Sequence, residues 1–195
     1  MKNLKRFFGI MTLIAIIATV AAPQAEAKKK KRDTKKEEIE KLLNLGNDCY
    51  LKEDFEQAVK YFEEVHKKGD LRGTNNLAMC YYGGEGVAQD YNMAFKLYEK
   101  AAKKGYVDSQ VSLGTMYMNG QGCKKDYKKA IKWLEKAAKQ KDDTAAASDA
   151  MYLIGSCYFY GGNGIKKDLK KAKEWISKSA ALGNQLAKDN LDKIQ

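Results

Sequence analysis

One helix-pair pattern, written four times over, constrains this chain more than any other feature. Asp90, Ala94, Tyr98 and Ala102 recur as Asp126, Ala130, Leu134 and Ala138, then as Asp168, Ala172, Ile176 and Ala180. An earlier version runs Asp54, Ala58, Phe62 and His66. A period in this range gives stacked units that bury apolar surface mainly between neighbours rather than around one globular core. The fold class predicted is all-α, a solenoid of stacked antiparallel helix pairs. Function then turns on what a face of the stack binds.

The spacing fixes the register. The interval from Leu77 to Ala94 equals that from Leu113 to Ala130, and Ile154 to Ala172 is longer by the one extra residue in the Gly161-Gly162-Asn163-Gly164 turn. Leu45 to Ala58 is shorter, since the first unit lacks a glycine turn. The return interval is the same from Ala58 to Leu77, Ala94 to Leu113 and Ala172 to Leu191. Only Ala130 to Ile154 is longer, which places a five-residue insertion near Lys141 to Ser148. The units predicted are about 37–70, 73–108, 109–149 and 150–183, followed by a capping helix over 184–195. In each, Asp54, Asp90, Asp126 or Asp168 is placed to cap the second helix by accepting from its free N–H groups. Leu45, Leu77, Leu113 and Ile154 form one packing column of the first helices. Gly46, Ala78, Gly114 and Gly155 beside them predict tight helix crossings.

The N-terminal segment, 1–27, reads as an export signal. Lys2, Lys5 and Arg6 precede an apolar run from Phe7 to Val20, and Ala25-Glu26-Ala27 offers a small-x-small cleavage site. That run falls short of the roughly 20 apolar residues a membrane-spanning helix needs. Cleavage after Ala27 would leave a periplasmic or secreted chain that starts at Lys28 and keeps an excess of basic over acidic residues. Seven basic residues crowd the segment 28–36, between Lys28 and Lys36. They are expected to form a flexible segment, solvated or tethered to an anionic membrane or envelope polymer. Nucleic acid is disfavoured by export and by the lack of a binding module.

The string Leu113-Gly114-x-x-Tyr117-x-x-Gly120-x-Gly122, followed by Asp126, Ala130 and the segment from Trp133 to Ala138, resembles the Sel1-like repeat family, relatives of the tetratricopeptide repeats. Unit two matches through Tyr81, Gly84, Gly86, Asp90 and Ala94, and unit four through Gly155, Tyr158, Gly161, Gly164, Asp168 and Trp175. Unit one, with its short turn, looks more like an ordinary tetratricopeptide repeat. The resemblance implies a right-handed α-solenoid whose first helices line a concave surface that binds proteins or peptides. Three columns of this sequence would then face the partner: Asn44, Asn76 and Ser112; Asn47, Met79, Thr115 and Ser156; and Tyr50, Tyr82, Met118 and Phe159. Asn side chains can pair with an extended peptide backbone, and Met and aromatic residues adapt to its side chains.

Little else in the chain points to chemistry. A single histidine and four widely spaced cysteines do not make a metal site, and no cofactor is predicted. His66 falls in the column of Ala102, Ala138 and Ala180, which predicts packing. For Cys49, Cys80, Cys123 and Cys157 the readings are a disulfide between Cys49 and Cys80, or buried free thiols. The chain lacks the regular cysteine pair of the family's cysteine-rich branch. No P-loop or histidine-supported nucleophile appears, and neither do the serine and lysine motifs of serine hydrolases. The expectation is a non-enzymatic, exported binding adaptor, with a tethered structural envelope protein as one alternative and a hydrolase as a remote one.

Overall fold

The computed structural model describes the backbone of residues 2–140 and 143–194, and the side chains of residues 24, 26–140 and 143–194. The described residues form nine helices and, apart from one isolated bridge between Gly162 and Ile165, no β-structure. The helices are α1 (Lys2–Leu51), α2 (Phe55–Lys67), α3 (Leu71–Gly83), α4 (Tyr91–Lys103), α5 (Val107–Asn119), α6 (Tyr127–Ala138), α7 (Thr144–Tyr160), α8 (Leu169–Ala181) and α9 (Gln185–Leu191). The chain divides into two compact units, residues 1–41 and 42–195.

In the first unit, residues 28–36 are helical and exposed, where the sequence suggests a flexible leader. Thr34 Oγ1 donates to the carbonyls of Lys30 and Lys31 at 3.1 and 3.0 Å. Most of the expected export signal, including Ala25 of its cleavage site, lies outside the described side chains. Among the described residues, no helix is long and apolar enough to cross a membrane.

The second unit is an all-α solenoid of stacked antiparallel helix pairs. Helices α3 to α8 each pack on the one before and the one after, with α2 against α3 and α9 against α8. The sequence starts the second helices as the aspartate spacing predicts. Asp54 accepts from Gln57 N, Asp90 from Asn92 N and Met93 N, Asp126 from Lys129 N, and Asp168 from Lys171 N. The repeated i, i+4 positions then point inward: Ala58, Ala94, Ala130 and Ala172 are fully buried, with Phe62, Tyr98, Leu134 and Ile176 beside them. Burying each of these large side chains stabilises the fold by about 1.5–3 kcal/mol. The mid-helix glycines sit where helices cross closely. A Cβ on Gly114 would lie 2.6 Å from the Leu134 side chain, a separation no packed core tolerates.

Two expectations change. Leu45 is 36% exposed, whereas Leu77, Leu113 and Ile154 are 5% exposed or less. Those three helices each pack on a preceding second helix of the stack, and the first unit has no such predecessor; Leu43 is the buried residue there instead. The five-residue insertion near Lys141 to Ser148 goes into lengthening a helix, which moves the unit boundary. Asp143 caps α7 by accepting from Ala146 N at 3.0 Å, and an alanine-rich first turn extends the helix to 17 residues. A boundary at 149/150 therefore falls inside α7. Lys141 and Asp142, at the start of the insertion, lie outside the described residues. At the other end α9 closes the stack with Ala187 buried, and Ile194 beyond it is also buried.

Candidate protein-binding face

First helices of successive units touch one another directly. Asn76 Nδ2 donates to Asn47 Oδ1 at 3.3 Å, Ser109 Oγ to Asn75 Oδ1 at 2.8 Å, Asn184 Nδ2 to Asp149 Oδ1 at 2.6 Å and Asn190 Nδ2 to Tyr152 Oη at 3.4 Å. Helices α5 and α7 also pack on each other, while no two second helices approach to the same extent. The first helices thus form the inner side of the stack, the side that carries all three predicted columns.

The columns do different things. Tyr82, Ser112 and Thr115 border one cavity of about 180 Å³ together with Tyr98 and Val111. Burial, the larger cause, pushes the Tyr98 phenol up to about 12, against the opposing pull of a side-chain hydrogen bond with Ser112. The floor of this cavity is thus a neutral phenol in a partly apolar setting, suited to an uncharged side chain. Ser156 and Phe159 border a second cavity of about 200 Å³ with Tyr152, Tyr160, Asn190 and Lys193. Asn44 and Asn47 are exposed; Met79 and Met118 are half-buried and border neither cavity. Thr115 and Ser156 return their hydroxyls to the carbonyls of Val111 and Tyr152, so their methyl and methylene groups are what they offer.

Tyr50 and Tyr82 carry a role that column counting misses. Tyr50 Oη donates to Glu85 Oε2 at 2.6 Å, and Tyr82 Oη donates to Gln121 Oε1 at 2.9 Å. Both acceptors stand between the glycines of the next unit's turn. The rings meet Phe55 and Tyr91 edge-on, with centroids 5.2 and 5.3 Å apart. Burial first, then Glu85, raises the Tyr50 phenol well above its ordinary value, so it stays a donor. These tyrosines latch units one and two to their successors. The signal was in the sequence as a polar residue inside each Gly-x-Gly turn, one repeat beyond a tyrosine.

The second turn glycine completes the joint. Gly86 has φ +72° and backs onto the Phe55 carbonyl, and Gly122 has φ +66° and backs onto the Tyr91 carbonyl, leaving no room for a Cβ. In unit four, Gly164 has more space, with Lys128 Cβ 3.5 Å from a Cβ built there; its joint is instead a backbone bond from Tyr127 N to Asn163 O at 2.8 Å.

All four cysteines are free thiols, so the Cys49 to Cys80 bridge is not formed; the two occupy neighbouring rather than equivalent columns. Burial pushes the Cys80 and Cys157 thiols up to about 12, the opposite of what a nucleophile needs. His66 is half-buried at the joint between units one and two. Its Nδ1 pairs with Thr74 Oγ1 at 2.8 Å and its Nε2 lies 3.4 Å from Lys100 Nζ. Among the described residues, no group of three His, Cys, Asp or Glu side chains converges.

The family model described as Sel1 repeat matches residues 42–64, 72–106, 107–142 and 148–184, more than half of the chain. Among solved structures the chain is similar to a protective antigen present in uropathogenic Escherichia coli strains that displays an SLR fold, with 28% identity and a TM-score of 0.71 over 80% of this chain and 33% of that one. It is also similar to a Sel1 repeat protein from Oxalobacter formigenes, with 27% identity and a TM-score of 0.64 over 76% of this chain and 59% of that one. A putative Sel1 repeat protein from Klebsiella pneumoniae, 23% identical with a TM-score of 0.52 over 78% and 76% of the two chains, shares the fold. This chain thus spans about a third of the first of these relatives and less than two thirds of the second. No curated protein matches it.

Proposed function

The chain belongs to the Sel1 repeat family, whose members are generally protein-interaction scaffolds, and we propose that its inner face binds an extended segment of a partner protein outside the cytoplasm. The observation that carries this reading is the cavity between α3 and α5, which Tyr82, Ser112 and Thr115 border. A side chain of a bound peptide would enter it. Exposed Asn47, held by Asn76, stands on the same side to pair with the peptide backbone. Ser156 and Phe159 supply a second pocket further along, so a segment of several residues would span both. The role is binding rather than catalysis, consistent with thiols and phenols whose ionisation is suppressed.

Peptides selected from a displayed library on the full chain test the reading. Thr115→Trp fills the cavity and leaves the Tyr82 and Gln121 side chains themselves unaltered, and it should abolish capture of the selected peptides. Lys96→Gln, on α4, should leave capture intact. Equal capture by both variants would sink the proposal. Export is tested separately, by the N-terminal residue of the protein recovered from the cell envelope; Lys28 is the residue expected.

A further inference from the structure

Charge is distributed unevenly along the stack. The turn and second helix of unit three, residues 120–140, carry seven lysines against two carboxylates, Asp126 and Glu135. Residues 161–183 of unit four carry six against two, Asp168 and Glu174. The matching stretches of units one and two, 51–69 and 84–105, carry four lysines each against five and three carboxylates. All thirteen lysines of the later stretches are exposed, and among the described residues only Lys129, Lys171 and Lys178 pair with a carboxylate. Eight of them lie along α6 and α8, the second helices, and the other five flank those helices.

Three further observations say what this surface fits. Several of its lysines are held over aromatic rings in a repeated register. Lys136 lies 3.8 Å from the Trp133 ring centre and Lys178 4.8 Å from that of Trp175, while Lys129 and Lys171 lie 5.5 and 5.2 Å from the rings of Tyr117 and Tyr158. Residues 109–195 contain no arginine, the residue whose planar fork recognises a single phosphate or carboxylate in a fixed geometry. Compact ammonium groups spread over two helices suit a field of many anions instead. Large apolar side chains also surface here: Leu169 and Leu182, at the two ends of α8, are 36% and 43% exposed. A soluble polyanion gains nothing from exposed leucine, but the headgroup boundary of a bilayer does.

We infer that the outer face of units three and four, built on α6 and α8, docks on a bilayer of anionic phospholipid. The inner face then stays open toward a partner. This docking involves none of the inner-face residues, and none of residues 28–36.

Binding of the full chain to vesicles of phosphatidylglycerol and phosphatidylcholine, compared with phosphatidylcholine alone, isolates the charge-dependent gain while the apolar leader stays constant. Replacing Lys128, Lys132, Lys170 and Lys173 by Gln should weaken that gain by about tenfold or more, whereas the same change at Lys60, Lys96, Lys103 and Lys104 should alter it by no more than about twofold. A second variant, Leu169→Ser with Leu182→Ser, should lower vesicle binding at unchanged charge. Similar losses in the two lysine variants would overturn the assignment. So would undiminished vesicle binding by the leucine variant together with complete competition by soluble polyphosphate, which would identify a dissolved polyanion as the ligand. Helicity measured on every variant confirms that the solvent-exposed changes leave the fold intact.

Discussion

Units one and two differ from units three and four in how they are joined and in what they show to solvent. The early joints are tight. A tyrosine hydroxyl reaches into the next turn, and a glycine at positive φ presses on the carbonyl of the preceding helix. The late joint has Met118 where the earlier units have tyrosine, and it relies on a backbone hydrogen bond with slack around Gly164. The early half carries balanced charge on its second helices, and the late half is densely basic. A single repeat pattern thus supports two kinds of interface, because the positions that fix the helix pair are not the ones that fix its neighbours.

The sharpest way to break this contrast is at the turn glycines. Gly86→Ala or Gly122→Ala adds left-handed strain and a backbone overlap, and should cost about 2–4 kcal/mol in chemical unfolding. Gly164→Ala adds the strain alone, and should cost about 1–2 kcal/mol. Equal costs at all three would remove the difference between tight and slack joints. The latches come next. Tyr82→Phe should cost about 0.5–1.5 kcal/mol, and a double-mutant cycle with Gln121→Ala should recover most of that as coupling energy. Met118→Leu, at the matching position of unit three, should show no coupling to the following turn.

Cap substitutions provide a reference shared by both halves. Asp90→Ala and Asp126→Ala should each cost about 1 kcal/mol, since both aspartates accept from the first turn of the helix they precede. The smallest effect concerns pH. His66 is held below its ordinary value, by burial first and then by Lys100. The unfolded chain therefore takes up this proton before the folded one does, and stability falls as pH drops through the unfolded value of about 6.5. The matching positions in the later units are Ala102, Ala138 and Ala180. Hydrogen exchange between pH 7.5 and 5 should therefore loosen the joint of α2 with α3 and α4 before those of α5 to α8. A uniform response would refute a local origin at His66.

The helix pairs were legible because their causes are local. Capping aspartates, buried alanines and mid-helix glycines lie within one turn or one helix crossing of the groups they serve, and the spacing displays them. What the spacing hid were interactions one repeat apart. Tyr50 and Glu85 are 35 residues apart and Tyr82 and Gln121 are 39 apart, so each tyrosine looks like one more member of a column until the next turn is laid against it. Leu45 misled for the complementary reason: it obeys the register, but no second helix precedes it in the stack to bury it. The inner face was placed by resemblance. Which of its residues border a cavity depended on hydroxyl orientations and packing depths that no spacing encodes.

The joints run in one direction only. The starts of α2, α4 and α6 are each covered by the turn that comes later in the chain, so a unit holds the socket and its successor brings the plug. A polypeptide emerging from its N-terminus would hold every finished helix pair with an open socket until roughly one more repeat had been synthesised. Truncations should be unequal for the same reason: removing a unit from the C-terminal side unplugs the one before it, whereas removing one from the N-terminal side leaves only an unused turn.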